Sequence, residues 1–174
     1  MIARIGSSAI PRNVWPRSNS RDKSTMDTTH LPPDFKEFIQ SLNSAGVDYL
    51  LVGGYAVGFH GAPRFTADMD IWVGAEPENG VKLGRALEQF GFRDQQITSG
   101  QFLKKDSVFR IGHPPLQIDV LTDVSGRDFV DCYSRRELLE RDGLQISIIS
   151  LVDLKLNKRA SGRAKDLGDL ESLS

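Results

Sequence analysis

Between Tyr49 and Val52 the chain runs through four apolar residues, meets Gly53-Gly54, and resumes an apolar pattern at Tyr55-Ala56-Val57. The run Val47–Val52 (VDYLLV) is too short for a helix and reads as a buried strand. The two glycines end it, and a short helix is predicted through Tyr55–Phe59, stopping near Gly61 and Pro63. A buried strand that turns at once into a helix requires helices packed on the faces of a sheet.

The flanking segments fit that architecture. Leu31-Pro32-Pro33-Asp34 is a helix start, followed by Phe35, Phe38, Ile39 and Leu42 at helical spacing and by Gly46 as a stop. Met69–Val73 (MDIWV) reads as a second strand. Pro77 opens a helix with Val81, Leu83, Leu87 and Phe90 as apolar positions and Gly91 as its end. Gln101–Lys104 and Val108–Gly112 read as strands around a turn, Leu116–Leu121 (LQIDVL) as another, Phe129–Leu139 as a helix, and Leu144–Ile149 (LQISII) as the last strand. Leu151–Leu173 gives one or two helices broken near Ser161-Gly162. The fold class is therefore α/β (α+β), with a mixed sheet of about five strands flanked by helices and a helical C-terminal segment.

Charge narrows the function. The 174 residues hold 22 Lys and Arg against 23 Asp and Glu, which argues against a polyanion binder driven by bulk charge. The single cysteine, Cys132, excludes an internal disulfide framework and a multi-cysteine zinc site. No apolar run approaches the roughly 18 residues of a spanning helix, so no membrane partner is expected and a cytoplasmic location is. Residues 1–25 carry Arg4, Arg12, Arg17, Arg21 and Lys23 against Asp22 alone, together with several serines and two prolines. Residues 1–29 read as a disordered basic extension with Met26 as an alternative start, and residues 30–174 as one domain.

Three features carry chemistry. Glycines at a strand–helix junction let backbone N–H groups approach an anion, although such a pair also serves as a plain tight turn. Asp68 and Asp70 lie two apart at a strand start, so both carboxylates share a face. A hard divalent cation such as Mg²⁺ would offset their repulsion, and two solvated strand-end aspartates are the plain alternative. Asp119, inside the apolar run Gln117–Leu121, must be solvated, on a metal, or paired with an arginine such as Arg110 or Arg64.

The order of these features resembles the nucleotidyltransferase superfamily, the DNA polymerase β-like group: a strand into Gly53-Gly54, a D-x-D strand start 14 residues after Gly54, and a later strand with a lone aspartate. The tail Leu151–Leu170, of the form D-L-x-x-x-K…G-R-x-K-D-x-x-D-L, looks like that of small bacterial nucleotidyltransferases, among them the abortive-infection type IV toxin relatives. Gly-Gly-Tyr-Ala, His60-Gly61 and Arg64-x-Thr66 fit that branch, and the likeness covers roughly residues 34–172. The chain departs from many catalytic members in carrying Gly54 where they have a phosphate-holding serine.

The resemblance implies a Mg²⁺-dependent enzyme, with one or two ions, that moves a nucleoside monophosphate from a nucleoside triphosphate, typically ATP, to an acceptor hydroxyl. Asp68, Asp70 and Asp119 take the metal-ligand and catalytic roles, Asp119 being the expected base. Gly53, Gly54, Tyr55, Arg64 and Thr66 form the nucleotide-binding turn, and Lys155, Lys158, Arg163 and Lys165 are the cations for the phosphates. The acceptor (RNA, protein or small molecule) stays open, as does a toxin role with an antitoxin partner or a catalytically silent binding module. Asp166 is expected to orient a cation or cap a helix. His60 and His113 are expected to be structural, Cys132 a buried apolar side chain, and Trp72, Phe102 and Phe109 parts of the core.

Overall fold

Short apolar runs and amphipathic helices assemble into one mixed sheet. A computed structural model describes residues 2–3, 31–92, 106–113 and 116–173. In chain order the elements are β1 (Ile2–Ala3), α1 (Pro33–Ser44), β2 (Tyr49–Val52), α2 (Gly53–Phe59), β3 (Asp68–Val73), α3 (Pro77–Gln89), β4 (Val108–His113), β5 (Leu116–Leu121), α4 (Phe129–Ser134), β6 (Glu137–Arg141), β7 (Leu144–Ile148), α5 (Leu151–Ser161) and α6 (Ala164–Ser172). The sheet runs β1-β4-β5-β3-β2-β7-β6. Its pairs alternate between parallel (β1 with β4, β5 with β3, β2 with β7) and antiparallel (β4 with β5, β3 with β2, β7 with β6).

Six strands and the two-residue β1 thus stand against the five or so expected. The helix expected over Phe129–Leu139 stops at Ser134, and Glu137–Arg141 pairs with β7 instead. The cause is the Asp142-Gly143 turn, where both residues have positive φ, 54° and 78°. A two-residue loop of that kind matches the twist of an antiparallel pair and overrides the helix-forming composition of Glu-Leu-Leu-Glu-Arg. The strand expected at Gln101–Lys104 and nearly all of the basic leader lie outside the described residues.

Strand periodicity divides the sheet into two faces. Met69, Ile71 and Val73 of β3, with their partners Ile118 and Val120 on β5, are fully buried. Phe35, Phe38, Ile39 and Leu42 of α1 and Leu83, Ala86 and Leu87 of α3 join the same core, each large side chain contributing about 1.5–3 kcal/mol. Asp68 and Asp70 belong to the opposite face, where Trp72 is buried edge-on beneath Phe129 with ring centroids 5.2 Å apart. At the far end of the chain, Ser150 caps α5 by accepting from the Asp153 N–H, and Gly162 ends it in the left-handed conformation, φ 64°. The break expected near Ser161-Gly162 falls there and lets α6 fold back on α5.

Candidate active site

Register brings the predicted carboxylates together. Asp70 is partnered with Asp119 across the parallel pair β3–β5, and Asp119 with Arg110 across the antiparallel pair β4–β5. Paired positions in a sheet point to the same side, so Asp70, Asp119 and Arg110 share one face with Val52, the partner of Asp70 on β2. These four line a cavity of about 490 Å³, closed on the other side by Lys158 and Ser161 of α5 and by Arg163. Asn157 of α5 donates to the Ser125 carbonyl at 3.0 Å and so holds the loop that forms a further wall.

Both glycines at the β2–α2 junction are required by close packing. Gly53 has φ 66°, and a Cβ there would lie 1.9 Å from Asp70 Oδ2. The Asp70 carboxylate therefore rests directly on the Gly53 backbone. A Cβ at Gly54 would lie 2.8 Å from Thr66 Oγ1 and 3.1 Å from Arg64 Nη2. Thr66 fills the space that a serine at position 54 would need, which accounts for the Gly-Gly form of the turn.

The carboxylates differ in their neighbours. Arg110 donates to Asp119 through Nε (2.9 Å to Oδ1) and Nη2 (2.8 Å to Oδ2), and Gln117 Nε2 adds a third bond to Oδ1 at 3.0 Å. Asp70 has no ion pair among the described residues. Burial, then the negative charges of Asp119 and Asp68, push its pKa up to about 6, and the charges of Lys165 and Lys158 act in the other direction.

The tail motif builds an ion-pair cluster. Lys158 is buried and its Nζ donates to Asp166 Oδ1 at 2.8 Å and Asp169 Oδ2 at 2.7 Å. Asp166 also accepts from Ser161 and Arg163, each at 2.7 Å, and Asp169 accepts from Arg64 through Nε and Nη2. Burial alone would raise both carboxyls. The hydrogen bonds from Arg163, Lys158 and Ser161 outweigh it at Asp166, and those from Arg64 and Lys158 outweigh it at Asp169, so both stay below the usual range. Lys158, Arg163, Asp166 and Asp169 thus fix α6 to α5 and, through Arg64, to the segment leading into β3.

The remaining predicted residues separate. Tyr55 is buried away from the cavity lining, edge-on against Phe35 at 5.6 Å, and its hydroxyl pKa is pushed by burial up to about 12. Thr66 is buried, with Oγ1 donating to the Asp68 carbonyl at 3.3 Å. Lys165 is exposed and carries no ion pair among the described residues, yet its charge reaches Asp70. Lys155 is half-buried on α5 and does not line the cavity. His60 Nε2 bonds the Ile149 carbonyl at 2.8 Å, Cys132 is buried, and Phe109 is buried in the core. Ser161, Asn157 and Gln117 were not singled out by the sequence. Gln117 alone carried a signal, since it shares the Asp119 face of β5.

The donor set suits a hard divalent cation at Asp68 and Asp70, whose crowded negative charge such an ion would relieve. Asp119 lies beside them, but its two oxygens already receive Arg110 and Gln117. Among the described residues no three His, Cys, Asp or Glu side chains form a ready ligand set.

No family model matches the chain, and no curated protein sequence matches it. Solved structures do. One from Thermotoga maritima, of a protein described as a candidate nucleotidyltransferase, aligns with a TM-score of 0.53 at 17 % identity, covering 78 % of this chain and 87 % of that one. At that identity the likeness concerns the fold, and this chain has a nucleotidyltransferase-like fold. Among the described residues no helix is long and apolar enough to cross a membrane.

Proposed function

We propose that the chain is a nucleotidyltransferase that moves a nucleoside monophosphate, typically AMP, from a nucleoside triphosphate to an acceptor hydroxyl. The observation that carries this reading is the register placing Asp70 against Asp119 on the cavity side of β3–β5, with Asp70 resting on Gly53 at the head of α2. The acceptor oxygen attacks the α-phosphorus, the bond to the bridging oxygen breaks, and pyrophosphate leaves with the electron pair. Asp119 is assigned the acceptor's proton, which requires that Arg110 and Gln117 release one of its oxygens. Asp68 and Asp70 would hold a divalent cation, Mg²⁺ by its chemistry, which when bound would polarise the α-phosphate and neutralise the leaving group. Gly53 and Gly54 leave backbone open to the phosphates, while Lys165, exposed and with no ion pair among the described residues, supplies positive charge around them.

The tail motif extends the proposal toward the abortive-infection branch, with RNA or protein as acceptor and an antitoxin as partner. A silent nucleotide-binding module is the second reading, favoured by one observation: Arg110 and Gln117 engage both oxygens of Asp119.

The test is transfer of label from α-³²P nucleoside triphosphates, with pyrophosphate release, over tRNA, protein and small hydroxylated acceptors. Wild type should label an acceptor, and Asp68→Ala, Asp70→Ala and Asp119→Ala should each lose about a hundredfold or more while remaining folded. Undiminished transfer in all three variants defeats the reading. Binding of Mg·ATP without turnover on any acceptor selects the silent module.

A further inference from the structure

Arg110 is the cation nearest the carboxylate cluster, and it stands in an unusual place. Its fork faces Asp119 side-on, donating to both oxygens at 2.9 and 2.8 Å, the strongest arrangement an arginine offers a carboxylate. It also feels the charges of Asp68 and Asp70. Of the other cations lining the cavity, Lys158 is committed to Asp166 and Asp169 and Arg163 to Asp166. The guanidinium is not sealed in: 43 % of the Arg110 side chain is exposed, against 11 % for Asp119. An arginine in that position can swing toward solvent or into the cavity it lines without unpacking the core.

A divalent cation approaching Asp119 meets oxygens that already accept three hydrogen bonds, and it meets a like charge. An ion held by Asp68 and Asp70 that takes the neighbouring Asp119 as a further ligand competes with Arg110 for its two oxygens. A triphosphate entering with the ion changes the balance, because its anionic oxygens offer the guanidinium a new bidentate partner.

We propose that Arg110 is a built-in counter-cation for the carboxylate cluster, displaced from Asp119 when a divalent cation binds and then turned to the phosphates of the substrate. The inference rests on the nucleotidyltransferase reading and deepens it. Arg110 is a positioning residue that keeps affinity for the ion alone low and couples ion binding to nucleotide binding. That coupling is reciprocal: each ligand tightens the other by the same factor.

The test uses the full chain and Mn²⁺ alone as probe, with free Mn²⁺ followed by electron paramagnetic resonance. Arg110→Gln removes the competing charge and should bind Mn²⁺ about tenfold tighter than wild type. Arg110→Lys keeps the charge without the fork, should fall between the two, and guards against a variant that fails to fold. A non-hydrolysable ATP analogue should then tighten Mn²⁺ binding more in wild type than in Arg110→Gln. Equal or weaker Mn²⁺ binding by Arg110→Gln, with Asp70→Asn still abolishing it, overturns the role of Arg110 and leaves the site reading standing. Absence of Mn²⁺ binding in every protein, with and without the analogue, overturns both.

Discussion

Asp70 and Asp119 are partners on adjacent parallel strands, yet Arg110 grips Asp119 while no ion pair among the described residues reaches Asp70. This cross-strand pair therefore joins one compensated and one uncompensated carboxylate.

The uncompensated one sets a pH dependence. Burial, Asp119 and Asp68 raise Asp70 from an ordinary 3.8 to about 6. A raised carboxyl pKa means that the folded protein keeps its proton longer than the unfolded chain. Without metal, stability is then lost as pH rises from about 4 to 6 and does not return above that, a cost of up to about 3 kcal/mol. Asp70→Asn removes the charge, so in EDTA at pH 7.5 it should melt several degrees above wild type, with the gap closing near pH 4. Equal melting temperatures at pH 7.5 would contradict this.

Gly53 and Gly46 offer a matched comparison. Both have positive φ, 66° and 67°, but nothing lies within 4 Å of a Cβ at Gly46, whereas a Cβ at Gly53 meets Asp70. Alanine at either position carries backbone strain of about 1–2 kcal/mol. Gly53→Ala should cost at least about 1 kcal/mol more in urea unfolding, and adding Asp70→Ala should recover part of that excess. Equal losses at the two glycines would show that Asp70 does not rest on the turn.

Lys158 and Lys155 lie on the same helix with different fates. Lys158→Ala leaves Asp166 and Asp169 buried without their shared cation and should cost about 3–5 kcal/mol. Lys155→Ala, at a half-buried position with no ion pair among the described residues, should stay within about 0.5 kcal/mol. Denaturant midpoints distinguish them, and similar losses would mean that the Lys158 cluster does not hold α6 in place.

Much of this arrangement was legible in the residues. The period of two set Asp68 and Asp70 on one face, and the lone Asp119 in an apolar strand announced a partner, with Arg110 among those named. The sequence could not supply the register, since which strand lies beside β3 depends on long-range packing. It also left the tail cations ambiguous, because a lysine that binds phosphate and one that binds Asp166 look alike at the same spacing. The β6–β7 hairpin was missed although Asp142-Gly143 between two apolar-bearing runs is a strong hairpin signal. Helix-forming composition over Glu137–Arg141 masked it. Gly54 was read as a phosphate contact, and the structure adds a packing reason for it in Thr66.

On the reading proposed above, the face shared by Asp68, Asp70 and Asp119 holds a metal-bridged nucleoside triphosphate. The most direct measurement is a crystal structure of the protein with Mg²⁺ and a non-hydrolysable ATP analogue. The expected result is a metal on Asp68 and Asp70, the triphosphate over Gly53-Gly54, and Arg110 turned from Asp119 toward phosphate. A nucleotide bound elsewhere, or an Asp68–Asp70 pair that takes no metal at millimolar Mg²⁺, would contradict it.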